Sequence, residues 1–391
     1  MTHIFKIIFV FLFILNFLYS KEIKIGMTAD MTGSISYLGK NMKKGIEAYL
    51  NIHNKYYYKK NSKNKYKLIV YDDMYNPILA SRYVKRLIHE DKVLAILGSV
   101  GTPTANVILP VIKKYKTPFV GAYSGGNILR NSKNDYVFNF RASYTQEAYV
   151  ITKKLLLEGL KLKDIAVFTQ NDTYGDSGYH GVLKAIMENN NLSILDIAHE
   201  RYTKGTENIE IGLSKLLDYN RDFKAIIIVG VNKSTVKFIK YAKEDFKLAK
   251  FFLLSPIDSK VVVNELSSFK NDIYTSQVLP PLSDLKNKKL IDEFKSAYIK
   301  KFNTDDYNII SFEGYLVAKL FVNTLELQNN LNINKKEIYK ALKNLRNMDI
   351  GLNFKSDFNN SESQYSNKVW LCKIDENNNL VSIPDTDIFR K

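Results

Sequence analysis

The chain of 391 residues has a single cysteine, Cys372, so it can form no internal disulfide, and a small disulfide-stapled scaffold is excluded. Its five histidines form no His-x-x-x-His pair and no two cysteines exist to pair, which leaves no spacing suited to zinc. Neither Gly-x-x-x-x-Gly-Lys-[Ser/Thr] nor Gly-x-Gly-x-x-Gly occurs, and this argues against nucleotide chemistry. With 8 prolines and 18 glycines the composition is far from collagen or a low-complexity linker. Long hydrophobic runs are missing too. The only sustained one, residues 7–18, is shorter than the roughly 18 to 20 residues that cross a bilayer, so no permanent anchor is expected.

What remains is a chain that is 45% hydrophobic and 25% charged, enough to bury sizeable cores. Its length suggests two domains with a cleft between them. The formal charge is +17, from 57 basic and 40 acidic residues, but the lysines are spread along the whole chain. Such spacing solvates a surface and does not form the concentrated patch that a nucleic acid needs, so no nucleic-acid partner is expected. Residues 1–6 are short and basic, 7–18 are almost wholly apolar, and Leu18-Tyr19-Ser20 precedes polar Lys21-Glu22. That is the pattern of a secretory signal peptide over residues 1–20. Cys372 lies too far away to take a lipid at the start of the mature chain, so a soluble, unanchored exported protein is expected.

From Lys21 onward, short β-branched runs alternate with amphipathic stretches, the pattern of βαβ units around a parallel sheet. Strands are expected at 23–27, 67–71, 94–98, 118–121 and 137–140, separated by helices near 41–53, 77–90, 103–115 and 146–159. The rhythm then restarts with strands at 165–169, 195–198, 225–229 and 251–254 and helices near 179–189, 209–219 and 235–244. Two open sheets of about five strands each fit this length, because a single sheet of about ten would curl or split. Residues 285–346 read as three helices, with 309–327 apolar on most faces, and short strands are expected at 353–358 and 369–374.

In open α/β sheets the ligand crevice lies beyond the carboxyl ends of the strands. The loop after the first strand, 28–39, carries Tyr37. The loop after the third, Gly98-Ser99-Val100-Gly101-Thr102-Pro103, places Thr102 as a helix N-cap with Pro103 behind it, so free N–H groups there suit an anion, or Thr102 merely caps its helix. The fourth strand opens into Gly121-Ala122-Tyr123-Ser124-Gly125-Gly126, a glycine-rich loop that suits close ligand approach or an ordinary tight turn. Ser124 sits one residue from a Gly-x-Ser-x-Gly nucleophile elbow. Only His180 and His199 follow it, however, one in a predicted helix and one beside a predicted strand, so no triad is visible. Asn171-Asp172-Thr173-Tyr174-Gly175-Asp176 lacks the acidic twelfth residue of a calcium loop. A binder with no catalytic residue, metal or cofactor is the expectation.

Several motifs then fall in a recognisable order. Ile25-Gly26, Thr32-Gly33, Tyr37-Leu38-Gly39 and Gly45-Ile46-Glu47-Ala48 open the chain; Leu97-Gly98 with its Thr102 loop, Thr117-Pro118-Phe119-Val120, Tyr123-Ser124 and Phe140-Arg141-Ala142 follow. Ala166-Val167, Thr173-Tyr174-Gly175-Asp176 and Phe312-Glu313-Gly314-Tyr315 complete the series. Across essentially the whole mature chain this resembles the type I periplasmic solute-binding proteins of the leucine/isoleucine/valine-binding family. The resemblance implies a monomer of two α/β lobes joined by three crossing segments, each lobe a mainly parallel sheet flanked by helices. The lobes would close on a small ligand for an ABC importer of the inner membrane. It implies lobe 1 at 21–142 and 281–345, and lobe 2 at 143–280 and 346–391. By the same analogy Tyr37 packs on the ligand, Thr102 receives a carboxylate, Tyr123, Ser124 and Gly125 form the same pocket wall, and Tyr174 is offered by lobe 2.

One departure concerns charge. Family members that hold an α-ammonium place an acid just after the crossover, in the region that here reads Arg141-Ala142-Ser143-Tyr144-Thr145-Gln146. A buried ammonium needs a paired carboxylate. Glu147 or Asp258 is the candidate to supply it, each with an alternative role near a helix N-terminus. A small carboxylate, amide or aromatic acid without the amine is the other possibility. Two rival functions remain: a periplasmic subunit presenting ligand to a receptor kinase, and a basic surface adhesin. Separately, Asp357-Phe358-Asn359-Asn360-Ser361 fits the acid-x-Asn-x-Ser acceptor of some bacterial glycosylation systems, or forms an ordinary polar turn.

Overall fold

A computed structural model describes residues 21–57, 64–189, 192–328 and 333–383. The signal peptide expected at 1–20 lies outside the described residues. The first sheet contains β1 (Lys21–Ala29), β2 (Asn64–Asp72), β3 (Ala95–Leu97), β4 (Phe119–Val120) and β5 (Val137–Phe138), all parallel, in the order β2-β1-β3-β4-β5. The second contains β6 (Ile165–Gln170), β7 (Ala198–Tyr202), β8 (Ala225–Val229), β9 (Lys250–Leu253), β10 (Ile273–Gln277), β11 (Trp370–Ile374) and β12 (Leu380–Ser382), in the order β12-β11-β10-β9-β8-β6-β7. There β11 runs antiparallel to β10 and to β12. The molecule is therefore an α/β protein of two lobes.

Burial on both faces explains the composition of the central strands. β8 reads Ala-Ile-Ile-Ile-Val and every residue is buried, as expected where helices cover both sides of a parallel sheet. The edge strand behaves differently. The sequence suggests a strand at 195–198, but Leu195 is 88% exposed on a short 3₁₀ turn and the strand proper is the polar Ala198–Tyr202. β10, with Thr275, Ser276 and Gln277 all buried, carries too little apolar pattern to be read in advance. With β10 and β12 added, the second sheet has seven described strands where about five were expected. The strand expected at 353–358 is instead a single bridge, Met348 to Ser356.

The chain passes between the lobes repeatedly. It leaves the first sheet after β5, builds β6 to β10, and returns through three helices, Lys288–Phe302, Ile309–Glu326 and Lys335–Lys343. It then runs beside the end of β5, with Tyr365 N–H on the Asn139 carbonyl (2.8 Å), before β11 joins the second sheet. The returning helix Ile309–Glu326 is buried almost throughout and lies along the helix Ser36–Ile52. Glycines allow that contact: a Cβ on Gly45 would lie 1.9 Å from the Ser311 carbonyl oxygen, and one on Gly314 would lie 2.3 Å from that of Met42. In each sheet the strand order reverses beside the first strand, at β1/β3 and at β6/β8, so both switch points open at strand carboxyl ends.

Candidate functional site

The crevice is built by chain segments leaving those strand ends. After β2, Asp73 Oδ1 accepts the Tyr75 N–H at 3.0 Å, in a turn where Met74 and Tyr75 both adopt positive φ. Left-handed backbone costs a non-glycine residue of the order of 1 kcal/mol, and here it turns the Tyr75 ring toward the second lobe. Lys204 Nζ sits 4.2 Å from the centre of that ring, and Gln170 Nε2 donates to the Tyr75 hydroxyl at 3.4 Å. Tyr37 is not on a loop. It lies in the first turn of the helix Ser36–Ile52, and its hydroxyl donates to the Pro256 carbonyl at 2.9 Å, a partner just beyond β9 in the other lobe. Tyr123 makes a similar reach to the Ser255 carbonyl at 3.5 Å.

Thr102 begins the helix Thr102–Tyr115 but does not cap it; the N-cap is Gly101, at φ 104°, a backbone angle that glycine adopts freely. The Thr102 hydroxyl instead lies 2.8 Å from that of Ser124, which also accepts the Gly126 N–H at 3.1 Å. His199 is bonded to Thr169 and stacked on Tyr179, and His180 is exposed on its helix, so neither approaches the partners of Ser124. Gly125 gives its carbonyl to the Tyr144 N–H at 2.9 Å, and a Cβ on Gly125 would lie 2.6 Å from that nitrogen. Tyr174 stands at the start of the helix Thr173–Met187, whose cap Asp172 accepts the Tyr174 and Gly175 N–H groups. Its hydroxyl donates to the Gly230 carbonyl at 3.0 Å and its ring meets Tyr144 edge-on at 4.6 Å. Asp258 follows β9, donates its backbone N–H to Asn232, and accepts from Asn308 Nδ2 at 3.4 Å.

Tyrosines thus dominate the crevice, all buried except half-buried Tyr37. Tyr37, Tyr75, Tyr123, Tyr144, Tyr174 and Tyr202 all have phenol pKa values raised, chiefly by burial, so they act as neutral donors and acceptors at any ordinary pH. Sequence reading identified Tyr37, Tyr123 and Tyr174 and missed Tyr75, Tyr144 and Tyr202. The missed three lie on a turn, a crossover helix and an edge strand, and no local pattern marks them.

The largest omission is a buried ionic cluster behind the crevice. Arg141, at the end of the first crossover, is 0% exposed. Its Nη2 lies 3.4 Å from Glu147 Oε1 and its Nη1 3.6 Å from Glu313 Oε2, and the guanidinium carbon sits 4.4 Å over the Tyr123 ring. Ser255 Oγ also takes a bond from Nη2. Glu147 accepts three more bonds: Ser255 N–H (2.9 Å), Ser255 Oγ (2.9 Å) and Ser276 Oγ (2.6 Å). Arg141 and Glu147 together therefore join the crossover to the segment just beyond β9, to β10 and to the first lobe's helix Ile309–Glu326. The available signal was an arginine set between Phe140 and Ala142.

The family model described as periplasmic binding protein matches residues 22–379, nearly the whole described chain. The chain belongs to the periplasmic binding protein family. Within it, the protein is similar to a possible leucine/isoleucine/valine-binding protein from Rhodopirellula baltica, at 31% identity over 95% of this chain and 98% of that one, with a TM-score of 0.88. A branched-chain amino acid transporter substrate-binding protein from Streptococcus pneumoniae, solved with isoleucine, shares the fold at 18% identity and a TM-score of 0.72, over 93% and 100% of the two chains. A fatty acid ABC transporter substrate-binding protein from Thermomonospora curvata does so at 18% identity and 0.80, over 95% and 94%. Comparison with curated proteins finds no match. The chain is thus a type I periplasmic binding protein of the leucine/isoleucine/valine-binding kind.

Asp73 gives this binding protein a measurable pH response. Burial pushes its carboxyl up to about 7, and Asp30 and Asp72 add to the rise. Between about pH 4, the usual carboxylate value, and pH 7, the folded state holds a proton that the unfolded chain has lost. This group's contribution to stability is therefore full below about pH 4 and falls as pH rises to 7. Asp73→Asn is expected to remove that decline, so urea midpoints of the variant should gain on the parent protein between pH 5 and pH 8. A constant difference between the two across that range would show that Asp73 ionises normally.

Proposed function

We propose that the mature protein is the substrate-binding component of a branched-chain amino-acid-type ABC importer, exported through a cleaved signal peptide to the periplasm as a monomer. It captures a small carboxylate-bearing ligand, an amino acid, amide or related acid, and presents it to an inner-membrane permease. The lobes are 21–142 with 281–345 and 143–280 with 346–391, the stretch running beside β5 serving as the third connection. Ligand contacts fall to Tyr37, Thr102, Tyr123, Ser124, Gly125, Tyr174 and Asp258. The observation that carries this reading is the crevice itself: tyrosines from both lobes meet at the carboxyl ends of both sheets, and Tyr37 and Tyr123 bond to the far lobe.

The charge arrangement makes Asp258, whose carboxylate takes a bond from Asn308 Nδ2 at 3.4 Å, the acid to meet a ligand ammonium where the ligand carries one, in preference to Glu147, Asp172 or Asp30. Glu147 is engaged by Arg141, Ser255 and Ser276; Asp172 by Tyr174, Gly175 and Gln170; Asp30 by the N–H groups of Thr32, Gly33 and Ile35. Withdrawing any of these to meet a ligand amine would strand other buried donors, at about 1 to 3 kcal/mol each. A carboxylate or amide docking near the first turn of the helix Thr102–Tyr115 meets backbone N–H groups that have no intrahelical acceptor. Closure is favoured only through contacts that the open state lacks, so the second lobe must contribute, through Tyr174.

The test is a thermal-shift screen of amino acids, amides and small carboxylates on protein refolded to remove carried-over ligand, followed by calorimetry. A binder at 100 times its Kd should stabilise the fold by about 2.7 kcal/mol. Tyr174→Ala is expected to weaken that binder at least about tenfold, a loss of about 1.4 kcal/mol, with the circular dichroism spectrum retained. Unchanged affinity removes Tyr174 from the site; a screen in which no compound raises the melting point overturns the reading.

A further inference from the structure

The sequence contains Asn-x-Ser/Thr at Asn171, Asn191, Asn232 and Asn359, the triplet that accepts N-linked glycans in exported proteins. Asn359 alone also has an acid two residues before it, Asp357. Asn191 lies outside the described residues. The structure separates the others. Asn232 is buried, and its side-chain oxygen holds the Asp258 N–H at 3.0 Å, so it cannot be modified in the folded protein. Asn171 is exposed but has Thr169 where an acid would stand, and the hydroxyl of its Thr173 is buried.

At the fourth position the two adjacent asparagines have divided roles. Asn360 is the structural one: its Oδ1 accepts the Glu362 and Gln364 N–H groups and its Nδ2 donates to the Gln364 carbonyl at 2.7 Å, which closes the turn. Asn359 and Ser361 are exposed, and no described residue bonds the side chain of either. Asp357 Oδ1 accepts the Asn359 N–H at 2.8 Å, which fixes the backbone at this exposed residue. The acid-x-Asn-x-Ser run thus presents exposed Asn359 and Ser361 beside half-buried Asp357, with Phe358 at 1% exposure anchoring the turn in the core, and in a chain whose sequence predicts export it offers an acceptor to a transferase acting on folded protein.

We infer that Asn359 is a site of N-linked glycosylation after export. The co-substrate is a polyprenyl-diphosphate-linked oligosaccharide. The carboxamide nitrogen of Asn359 forms a bond to the anomeric carbon of the first sugar, the bond from that carbon to the diphosphate oxygen breaks, the amide gives up one proton, and polyprenyl diphosphate leaves. Nothing is oxidised or reduced. The inference rests on export and on the turn, not on the ligand reading.

The experiment is peptide mapping by mass spectrometry on protein purified from the periplasm of the cells that naturally make it. The expected result is an oligosaccharide mass on the peptide holding Asn359 and none on the peptide holding Asn171. Asn359→Gln should abolish the added mass without moving the thermal midpoint, because the replaced side chain makes no bond. Asp357→Ala should cut occupancy at least tenfold and Asp357→Glu should keep it. An unmodified Asn359 peptide from the native cells overturns the site; full occupancy in Asp357→Ala overturns the role of the acid.

Discussion

Arg141→Met is expected to lower the thermal midpoint by roughly 10 °C, from a loss of about 3 to 5 kcal/mol spread over lobes of this size. The reason is asymmetry. Arg141 and its carboxylates are almost fully buried, so removing the cation leaves Glu147 and Glu313 without their counter-charge in a medium that solvates them poorly. Glu313 is already partly adapted to this: burial pushes its carboxyl up to about 7, in spite of the opposing pull of Arg141. Glu147 is held by three hydrogen bonds and cannot relax as easily. Glu313→Gln should therefore cost much less than Glu147→Gln, and Arg141→Met combined with Glu147→Gln should recover part of the loss. Differential scanning calorimetry of the four variants decides it. If Arg141→Met melts with the parent protein, the cluster carries no structural charge pairing across the crossover.

Gly45→Ala is the second large effect, and two principles predict opposite signs. Helix propensity alone favours alanine over glycine by about 1 kcal/mol, so an isolated helix Ser36–Ile52 would gain. In the folded protein the new methyl would lie 1.9 Å from the Ser311 carbonyl oxygen, which is backbone in the tightly packed helix Ile309–Glu326 and cannot swing away. Overpacking commonly costs about 1 to 3 kcal/mol, and more where only backbone can yield. The steric term wins, and we expect Gly45→Ala to lower the urea midpoint by the equivalent of about 3 kcal/mol or more. Lys43→Ala, which removes only the half-exposed Lys43–Glu47 ion pair (3.0 Å) on the same helix, should stay within about 0.5 kcal/mol. An increase in the midpoint for Gly45→Ala would mean that the two helices have room to separate.

These two positions illustrate how much could be read in advance. The central strands of both sheets were legible because strands buried on both faces must be continuous β-branched runs, as β8 is. β10 was not, because its buried face is hydroxyl and amide, satisfied by side chains from the crossover helix such as Glu147. Thr102 reads from the sequence as a helix N-cap, but Gly101 with its positive φ takes the cap and leaves Thr102 to pair with Ser124, 22 residues away. Tyr37 was noticed as a loop tyrosine, and the structure extends the helix back over it, which turns its hydroxyl across the crevice.

The sequence by itself determined that the chain forms alternating βα units in two successive sets and offers polar loops at the ends of particular strands, and its first twenty residues have the pattern expected of an export signal. Those features follow from local periodicity and from residues adjacent in the chain. Only the tertiary structure decided which side chains meet. The pairing of Arg141 with Glu313 spans 172 positions and that of Tyr37 with Pro256 spans 219, and a contact at such separation leaves no periodic trace in either segment. Burial then assigns the chemistry, because the same arginine that would be an ordinary solvated charge at a surface becomes, at 0% exposure, the group on which two carboxylates and the joining of two lobes depend.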